Sequence, residues 1–597
     1  MIETGSNPFN VQSSESGKKW SIRSYSEKDA LLLSQRLSLP SIVAQMLAAR
    51  GFEPDSAEQF LNPTLKTTLP DPYMLKDMEK AVGRIALALT EKQNIVIFGD
   101  YDVDGATSSA LLYRYFNQLG STTRVYIPDR IDEGYGPNDA AFEMLKQEGA
   151  DLIITVDCGT TSFGPLQKAK DMGLDVIVID HHVAEPKLPE AYAIVNPNRL
   201  DEPVNPLQHL AAVGMSFLLA VALNRHLRQQ GFFQTLPEPN LMNLMDLVAL
   251  GTVCDVMPLK GLNRTFVKQG LKILAARNNL GLKTLSNVTK IDSLPSTYHL
   301  GFVLGPRINA GGRVGEAGLG SLLLRTENPT QAQEIALKLD EYNRVRKEIE
   351  IDVMQAAFRQ AEKQLSPIIL VADRDWHPGV IGIVAGRIKE RFNRPACVIS
   401  LSSEGIGKGS ARSIPGVDLG SMIQAAKQSG LLIAGGGHAM AAGRTIEEAK
   451  IPQLHEFLNQ RAMQFMSEDN VPTFELDGVL NLNALTPELV NKIDSLSPFG
   501  SGNPTPKFAL TNLRILKLDI FGGEHIRIIA GQLDHAKINA VAFRAVNTDM
   551  GQALINHRGF PVHLAGSIKL DTWMGVEKLQ FVIDDVAIEQ NKYALTA

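Results

Sequence analysis

The segment GDYDVDG, Gly99 to Gly105, places three carboxylates, Asp100, Asp102 and Asp104, directly after the apolar run Ile95–Phe98 and before the small, alcohol-rich run Ala106–Ala110. So much negative charge at one strand end is costly in a folded protein unless cations hold it. Further ligand-type residues stand in similar settings: Asp157 in TVDCG, Asp180, His181 and His182 in VIVIDHH, and Asp255 in ALGTVCDVMPL. Such a carboxylate and imidazole set can fill two metal sites that share one bridging carboxylate. Two ions about 4 Å apart activate a water, hold a phosphoryl oxygen and stabilise the leaving oxygen. Imidazole ligands favour Mn²⁺-like ions over Mg²⁺, which prefers oxygen and retained water. The expectation is therefore a hydrolytic centre with two divalent cations, Mn²⁺ preferred and Mg²⁺ as the alternative. One Asp at a strand end is ordinarily a helix cap, and one His-His pair is ordinarily structural. Four such segments in one sheet crevice point to metal.

The elements that must position these residues can be read from the pattern. Between about 75 and 260, short β-branched runs (95–98, 124–127, 152–156 and 176–179) alternate with helical segments (106–119, 139–147 and 162–172). That alternation predicts a parallel sheet covered on both faces, whose ligands gather beyond the carboxyl ends of the strands. Asp100, Asp157 and Asp180 all lie at such ends. An apolar helix over 240–250 carries Asp255 on the loop beyond. The charged stretch 328–364 has helical periodicity and, after Pro329, no Gly or Pro, which predicts a long connecting helix. A second α/β unit spans about 367–450, with strands at 368–372 and 396–400, a helix at 380–391 and glycine-rich turns at 405–409 and 435–437. Short strands at 474–480, 507–516, 525–530, 538–543, 560–568 and 579–588 predict a small antiparallel barrel or sandwich of about 115 residues. Residues 1–70 read as a helical piece packing onto the first α/β unit, its neighbour in the chain. The fold class is α/β: two α/β lobes joined by a long helix, plus a C-terminal β-barrel. The expected divisions are 1–74, 75–300, 301–364, 365–455 and 456–597.

The motifs DYDVDG, VDCG, DHH and GTVCDVMPL resemble the four signature motifs of the DHH phosphoesterase family. Their order and spacing are similar to those of its bacterial single-strand-specific 5′→3′ DNA exonucleases, over about residues 70–590. The similarity includes LGPRINAGGR (Leu304–Arg313), HPGVIGIVAGRI (His377–Ile388), KGSARS (Lys408–Ser413), GGGHAMAAG (Gly435–Gly443) and PFGSGNPTPKF (Pro498–Phe508). The resemblance implies that Asp102, Asp104, Asp157, His181, His182 and Asp255 are metal ligands. Asp180 would orient the histidines or add a ligand. Asp100 is the open member of the set, because many relatives carry a histidine where this chain has Phe98. It also implies that Asp104, Asp157, His182 and Arg307 serve catalysis, and that the second lobe is a DHHA1 domain. Its GGGH loop (Gly435, Gly436, Gly437 and His438), with Arg412 and His377, would bind terminal phosphate and backbone. Arg307 and Asn309 would hold the scissile phosphate. The barrel would be an oligonucleotide-binding (OB-like) domain holding single strands by phosphate attraction and base stacking, with Phe508, Phe521, Phe543 and Trp573 as its aromatic candidates. Cys158 and Cys254, each beside a ligand, read as small buried residues.

At 597 residues the chain exceeds a single core, and its net charge of −6 gives no global nucleic-acid signal. Three cysteines suit a reducing cytosol, and no apolar stretch reaches the roughly 20 residues of a membrane span. The N-terminus has no hydrophobic signal core, so the expected location is cytoplasmic. The expected activity is hydrolysis of single-stranded DNA from its 5′ end to 5′-mononucleotides in repair and recombination. A monomer is expected, with single-strand-binding protein and a helicase as partners and no membrane. Two alternatives stay open. A small-substrate phosphodiesterase acting on oligonucleotides or cyclic dinucleotides would have no need of the barrel. A replication scaffold with a decayed metal site would not keep ligand-type residues at the motif positions.

Overall fold

The computed structural model describes residues 13–130, 132–202, 205–465, 471–532, 536–556, 561–573 and 576–588. Two compact units emerge. One comprises 69–258 and 266–465; the other comprises 13–68, 259–265 and 471–588.

The first unit begins with a five-stranded sheet: β1 (Ile95–Gly99), β2 (Thr123–Tyr126), β3 (Leu152–Val156), β4 (Asp175–Ile179) and β5 (Ala193–Val195). Every pairing is parallel and the order is β2-β1-β3-β4-β5. β1 and β3 are buried along their whole length, which accounts for their continuous rather than alternating apolar runs. In a sheet of this order the strand sequence reverses between β1 and β3, and the crevice at that switch point is where ligands bind. In chain order helix α1 (Val103–Gln118) lies between β1 and β2, and α2 (Ala212–Gln229), α3 (Met245–Cys254), α4 (Gly305–Val314) and α5 (Pro329–Ala361) follow β5. The 33-residue α5 is capped by Asn328, whose side chain accepts from Thr330 and Gln331 N–H. A π-helical turn, His299–Leu304, leads directly into α4. The helical piece expected over 240–250 is a short 3-10 turn followed by α3.

Beyond α5 lie β6 (Ile369–Asp373), α6 (Ile381–Phe392), β7 (Ala396–Leu401), β8 (Ile406–Arg412), α7 (Leu419–Gln428), β9 (Ala434–His438) and β10 (Ala441–Glu447). Their sheet runs β9-β10-β8-β7-β6, parallel only between β6 and β7. The expected turns at 405–409 and 435–437 are corrected here. Most of the first belongs to β8, and Gly435–Gly437 form the edge strand β9. Glycines in β8 are required by close packing: a Cβ on Gly409 would lie 2.9 Å from Nε of Arg444.

The second unit is built from β11 (Phe508–Phe521), β12 (His525–Gly531), β13 (Lys537–Ala542), β14 (Pro561–Trp573) and β15 (Val576–Ile588). They close as β11-β12-β13-β15-β14-β11, with β13 and β15 parallel and the other pairs antiparallel. This closed five-stranded barrel is the OB arrangement. The N-terminal helical piece belongs to this barrel unit and not to the α/β unit next to it in sequence, which corrects the expected packing. Leu33, Val43, Met46 and Leu47 share one core with Phe508, Leu513, Ile526 and Phe581 of the barrel. Strand Lys19–Ile22 pairs in parallel with Thr473–Leu476, and Trp20, fully buried, donates its indole N–H to Asp585 at 2.9 Å. Among the described residues no helix is long and apolar enough to cross a membrane.

Candidate metal centre

The β1/β3 switch point gathers the predicted ligands. Asp102 caps α1, its Oδ1 accepting from the N–H groups of Asp104 (2.9 Å) and Gly105 (3.1 Å). Asp104, in the first turn of α1, is met by the N-terminus of α2: Ala212 and Val213 donate to its two oxygens at 2.6 and 2.9 Å. The positive end of a helix thus fixes this carboxylate's rotamer and supports its charge. Asp157 follows β3 with φ of +62°, and Asp255, the C-cap of α3, precedes Val256 at φ +58°. A left-handed conformation is unfavourable for a β-branched residue, so the chain stores strain beside a ligand, as functional sites often do.

His181 Nε2 points into the cluster, 3.2 Å from Asp157 Oδ1, 3.6 Å from Asp255 Oδ2 and 3.8 Å from Asp104 Oδ2. The ring is also hydrogen-bonded to the Leu210 backbone. Asp180 differs from the other acids because its oxygens are already engaged. Oδ1 accepts from His181 N–H, His182 N–H and His182 Nδ1 at 2.8, 3.2 and 2.8 Å, and Oδ2 accepts from Thr160 N–H at 3.1 Å. Tyr135 donates its hydroxyl to the Asp157 carbonyl at 3.0 Å and stands edge-on to the His182 ring.

The electrostatics separate these groups. Burial, together with the neighbouring carboxylates, raises Asp100, Asp157 and Asp255 well above the usual range, and burial raises Asp104 to about 7. Burial also opposes ionisation of Asp180, but its bond to His182 and the two nearby imidazoles hold it below the ordinary value. Burial lowers His181 to about 4, whereas the Asp180 carboxylate outweighs burial at His182 and raises it to about 9. Asp100 Oδ1 and Asp255 Oδ2 are buried with no hydrogen-bond donor among the described residues. Three sets of side chains bring ligand atoms within 4.8 Å of one another: Asp104, His181 and Asp255; Asp100, Asp102 and Asp157; and Asp157, Asp180, His181 and His182. Orphaned buried oxygens in a mixed oxygen and nitrogen set fit divalent cations. Phe98 packs in the core against Phe142, so the position that is histidine in many relatives contributes nothing to the centre. Cys158 and Cys254 make backbone contacts, to Val156 and Leu300 carbonyls, with burial raising both thiols.

The structure sorts the predicted substrate residues less evenly. Arg307 is committed to Asp340 of α5 at 2.7 Å and to the Val303 carbonyl at 2.7 Å. Arg313, six residues on in the same helix, is the arginine that interacts electrostatically with Asp102, and Gly312 beside it packs on the Tyr101 backbone. Arg130, Arg346 and Arg412 all act on Arg313, which burial and these cations lower to about 10. Arg130 also lies over the Tyr101 ring at 4.9 Å. Arg412 bonds Ser410 Oγ, and His377 Nδ1 accepts from Gly379 N–H at 3.0 Å. Asn309 lies partly buried in α4, while His438 is exposed at the end of β9. Sequence reasoning misses Arg130, Arg313, Arg346, Tyr101 and Tyr135 as site residues. Of the three arginines, only Arg313 carries a sequence signal, as the last residue of LGPRINAGGR.

Comparisons with known proteins agree with this architecture. Residues 94–252 match the DHH family N-terminal domain, 365–464 the DHHA1 domain and 476–585 the RecJ OB domain. The chain is 36% identical over 540 residues to the single-stranded-DNA-specific exonuclease RecJ of Haemophilus influenzae, covering 88% of this chain and 92% of that one. It is 35% identical over 564 residues to the Escherichia coli K12 protein of that name, covering 92% and 96%. The crystal structure of RecJ in complex with Mn²⁺ from Thermus thermophilus superposes with a TM-score of 0.79 at 28% identity, covering 96% of this chain and 80% of that one. A Mg²⁺ complex from the same organism gives 0.76 at 27% identity, with 96% and 79% covered.

Proposed function

The chain belongs to the RecJ family of single-stranded-DNA-specific exonucleases, and from that premise we propose that it hydrolyses single-stranded DNA from the 5′ end, releasing 5′-mononucleotides at a two-cation centre. The observation that carries this reading is the convergence of eight ligand-type residues on one switch point, with Asp100 Oδ1 and Asp255 Oδ2 orphaned there. Asp104, His181 and Asp255 would hold one cation, and Asp100, Asp102 and Asp157 the other. Bound cations would supply positive charge to lower the pKa of a water and to stabilise the departing 3′-oxygen. Mn²⁺ is the preferred ion on the strength of the imidazole ligand, with Mg²⁺ as the alternative.

The protein's own groups then have distinct tasks. Asp180, saturated with hydrogen bonds, is a positioning residue that sets the orientation of both histidines. His182, its Nδ1 held 2.8 Å from Asp180 Oδ1, turns its ring toward the centre, where it would serve as a cation ligand or face a phosphate oxygen. Arg313, with Arg130 and Arg412 near it, forms the basic wall that takes the strand's phosphates, the task that sequence reading gives to Arg307, while Arg346 is paired with Glu350. Asn309, His377, Ser410 and the exposed edge Gly435–His438 complete the backbone-binding surface, while Arg307 braces α4 against α5.

Digestion of 5′- and 3′-labelled single and double strands with Mn²⁺, Mg²⁺ or Zn²⁺ after chelation tests the proposal. Release of labelled mononucleotide from the 5′ end of single strands only, best with Mn²⁺ and absent in Asp104→Ala, is expected. Digestion from the 3′ end, or full activity in Asp104→Ala, would overturn it.

A further inference from the structure

The metal centre opens on one side, and the exposure of its ligand-type residues identifies that side. The side chains of Asp104, Asp157, Asp180 and His181 are more than nine-tenths buried, whereas His182 is 38% and Asp255 24% exposed. A strand must therefore approach over His182 and Asp255, which also act on each other electrostatically. The residue after each of these two is an exposed valine: Val183 is 56% and Val256 68% exposed. Two bare aliphatic groups thus stand next in the chain to the two open ligands of a highly charged site.

Val256 is held there against its own backbone preference. Helix α3 ends in a Schellman motif: Met257 N–H donates to the Thr252 carbonyl at 3.1 Å and Val256 N–H to the Val253 carbonyl at 3.2 Å. Asp255 is the C-cap, and Val256 takes the next position at φ +58°, the place that glycine ordinarily fills in such a motif. A β-branched residue is an outlier in that conformation. Glycine would make the same turn without the strain, so the turn does not call for valine. Nor does the core, since two-thirds of the residue is in solvent. What valine adds is the apolar surface it presents beside Asp255.

The chemistry of a nucleic-acid strand decides what meets that surface. Phosphate belongs to the charged groups of the centre, and bases stack on rings rather than on isopropyl groups. The part joined to the phosphate is the sugar, whose C2′ is a bare methylene in DNA and carries a hydroxyl in RNA. We infer that Val256, with Val183, forms an apolar lip that packs on the C2′ methylene of the nucleotide entering the centre and so selects deoxyribose over ribose. This selection rests on the strand hydrolysis proposed above and deepens it by naming the sugar that is accepted. A 2′-hydroxyl brought against two isopropyl groups loses its water and gains no donor or acceptor in exchange. An apolar surface rejects an added hydroxyl by up to about 100-fold.

The test uses the full chain in Mn²⁺ with dU12, either all-deoxy or carrying a single ribouridine near its 5′ end, and a thermal melt of each variant. Release of successive mononucleotides by the wild type should slow about 10- to 100-fold at the ribouridine. Val256→Gly should raise Tm, because the strain is gone, and should reduce the slowing several-fold. Val256→Thr keeps the branching, the volume and the strain but offers a hydroxyl partner, so it should reduce the slowing with Tm close to that of the wild type. A wild type that passes the ribouridine at full speed, or variants that both slow as the wild type does, would overturn the inference. So would a Tm for Val256→Gly below the wild type, which would show valine serving stability instead. A wild type that releases nothing from the all-deoxy strand would refute the proposed hydrolysis, so the two failures are distinguishable.

Discussion

Replacing Asp180 by Asn isolates the positioning role from the metal-binding role. The carboxylate is 1% exposed, its Oδ1 accepts three N–H bonds, and its Oδ2 accepts one from Thr160. An amide oxygen can replace Oδ1, but its NH₂ then faces the Thr160 N–H, donor against donor. Losing that bond costs about 1–3 kcal/mol, and the His182 bond weakens because it is no longer assisted by charge. Outer-sphere changes of this kind cost roughly 10- to 100-fold in metal affinity. In a Mn²⁺ titration of strand hydrolysis, the half-saturating concentration for Asp180→Asn should therefore rise by about one to two orders of magnitude. The variant should regain much of its rate at high metal, whereas Asp104→Ala stays inactive at any concentration. A thermal melt establishes that the variant is folded. A folded variant whose Mn²⁺ dependence matched the wild type would refute the reasoning.

Two other perturbations draw on the same electrostatics. Burial raises Asp104 from 3.8 to about 7, and Asp100, Asp157 and Asp255 also lie above their ordinary values, so the cation-free fold prefers them protonated. For Asp104 that preference costs nothing below pH ~4 and is fully felt above ~7. The melting temperature in EDTA should fall as pH rises across this window, and saturating Mn²⁺ should flatten the slope; parallel curves with and without Mn²⁺ would contradict it. Arg444 is 5% exposed between Ala442 and Ile446, and its three guanidinium nitrogens have no hydrogen-bond partner among the described residues. Arg444→Met should stabilise the DHHA1 lobe by about 1–4 kcal/mol, seen as a higher calorimetric transition, and a lower one would show that the guanidinium is satisfied.

Much of the centre is legible in sequence because each ligand sits at the end of an element with a strong local signature. Buried parallel strands are continuous apolar runs, and the residues that end them are fixed in space by the sheet itself. Asp104 and Asp255 are readable for the same reason, at a helix start and a helix end. Arg130 and Arg346 are not, and Arg313 is marked only by its motif, because an arginine looks alike in sequence whether it caps a surface or lines a crevice. The difference is made by segments distant in the chain. Strand β9 reads as a turn because three glycines carry no side-chain alternation, and its pairing to β10 is purely a backbone affair. The aromatic candidates divide only in three dimensions: Phe508 fills the barrel, while Phe521 and Phe543 face outward, and the side chain of Trp573 lies outside the described residues. The destination of the N-terminal helices is invisible in sequence, since nothing local in Leu33 or Val43 names a partner at Phe508.

That last pairing sets a timetable for synthesis. The strand Lys19–Ile22 and the helices behind it are made well before the strand they need, Thr473–Leu476, which comes some 450 residues later. At about 5–20 residues per second the ribosome takes roughly 20 to 90 s to deliver it. During that interval Leu33, Val43, Met46 and Leu47 have no core to enter, while the catalytic sheet, all of it local to residues 95–195, can already close. The part of the chain that cuts is thus ready before the unit built from both flanks, and the nascent N-terminal helices are the segment a chaperone would have to shelter.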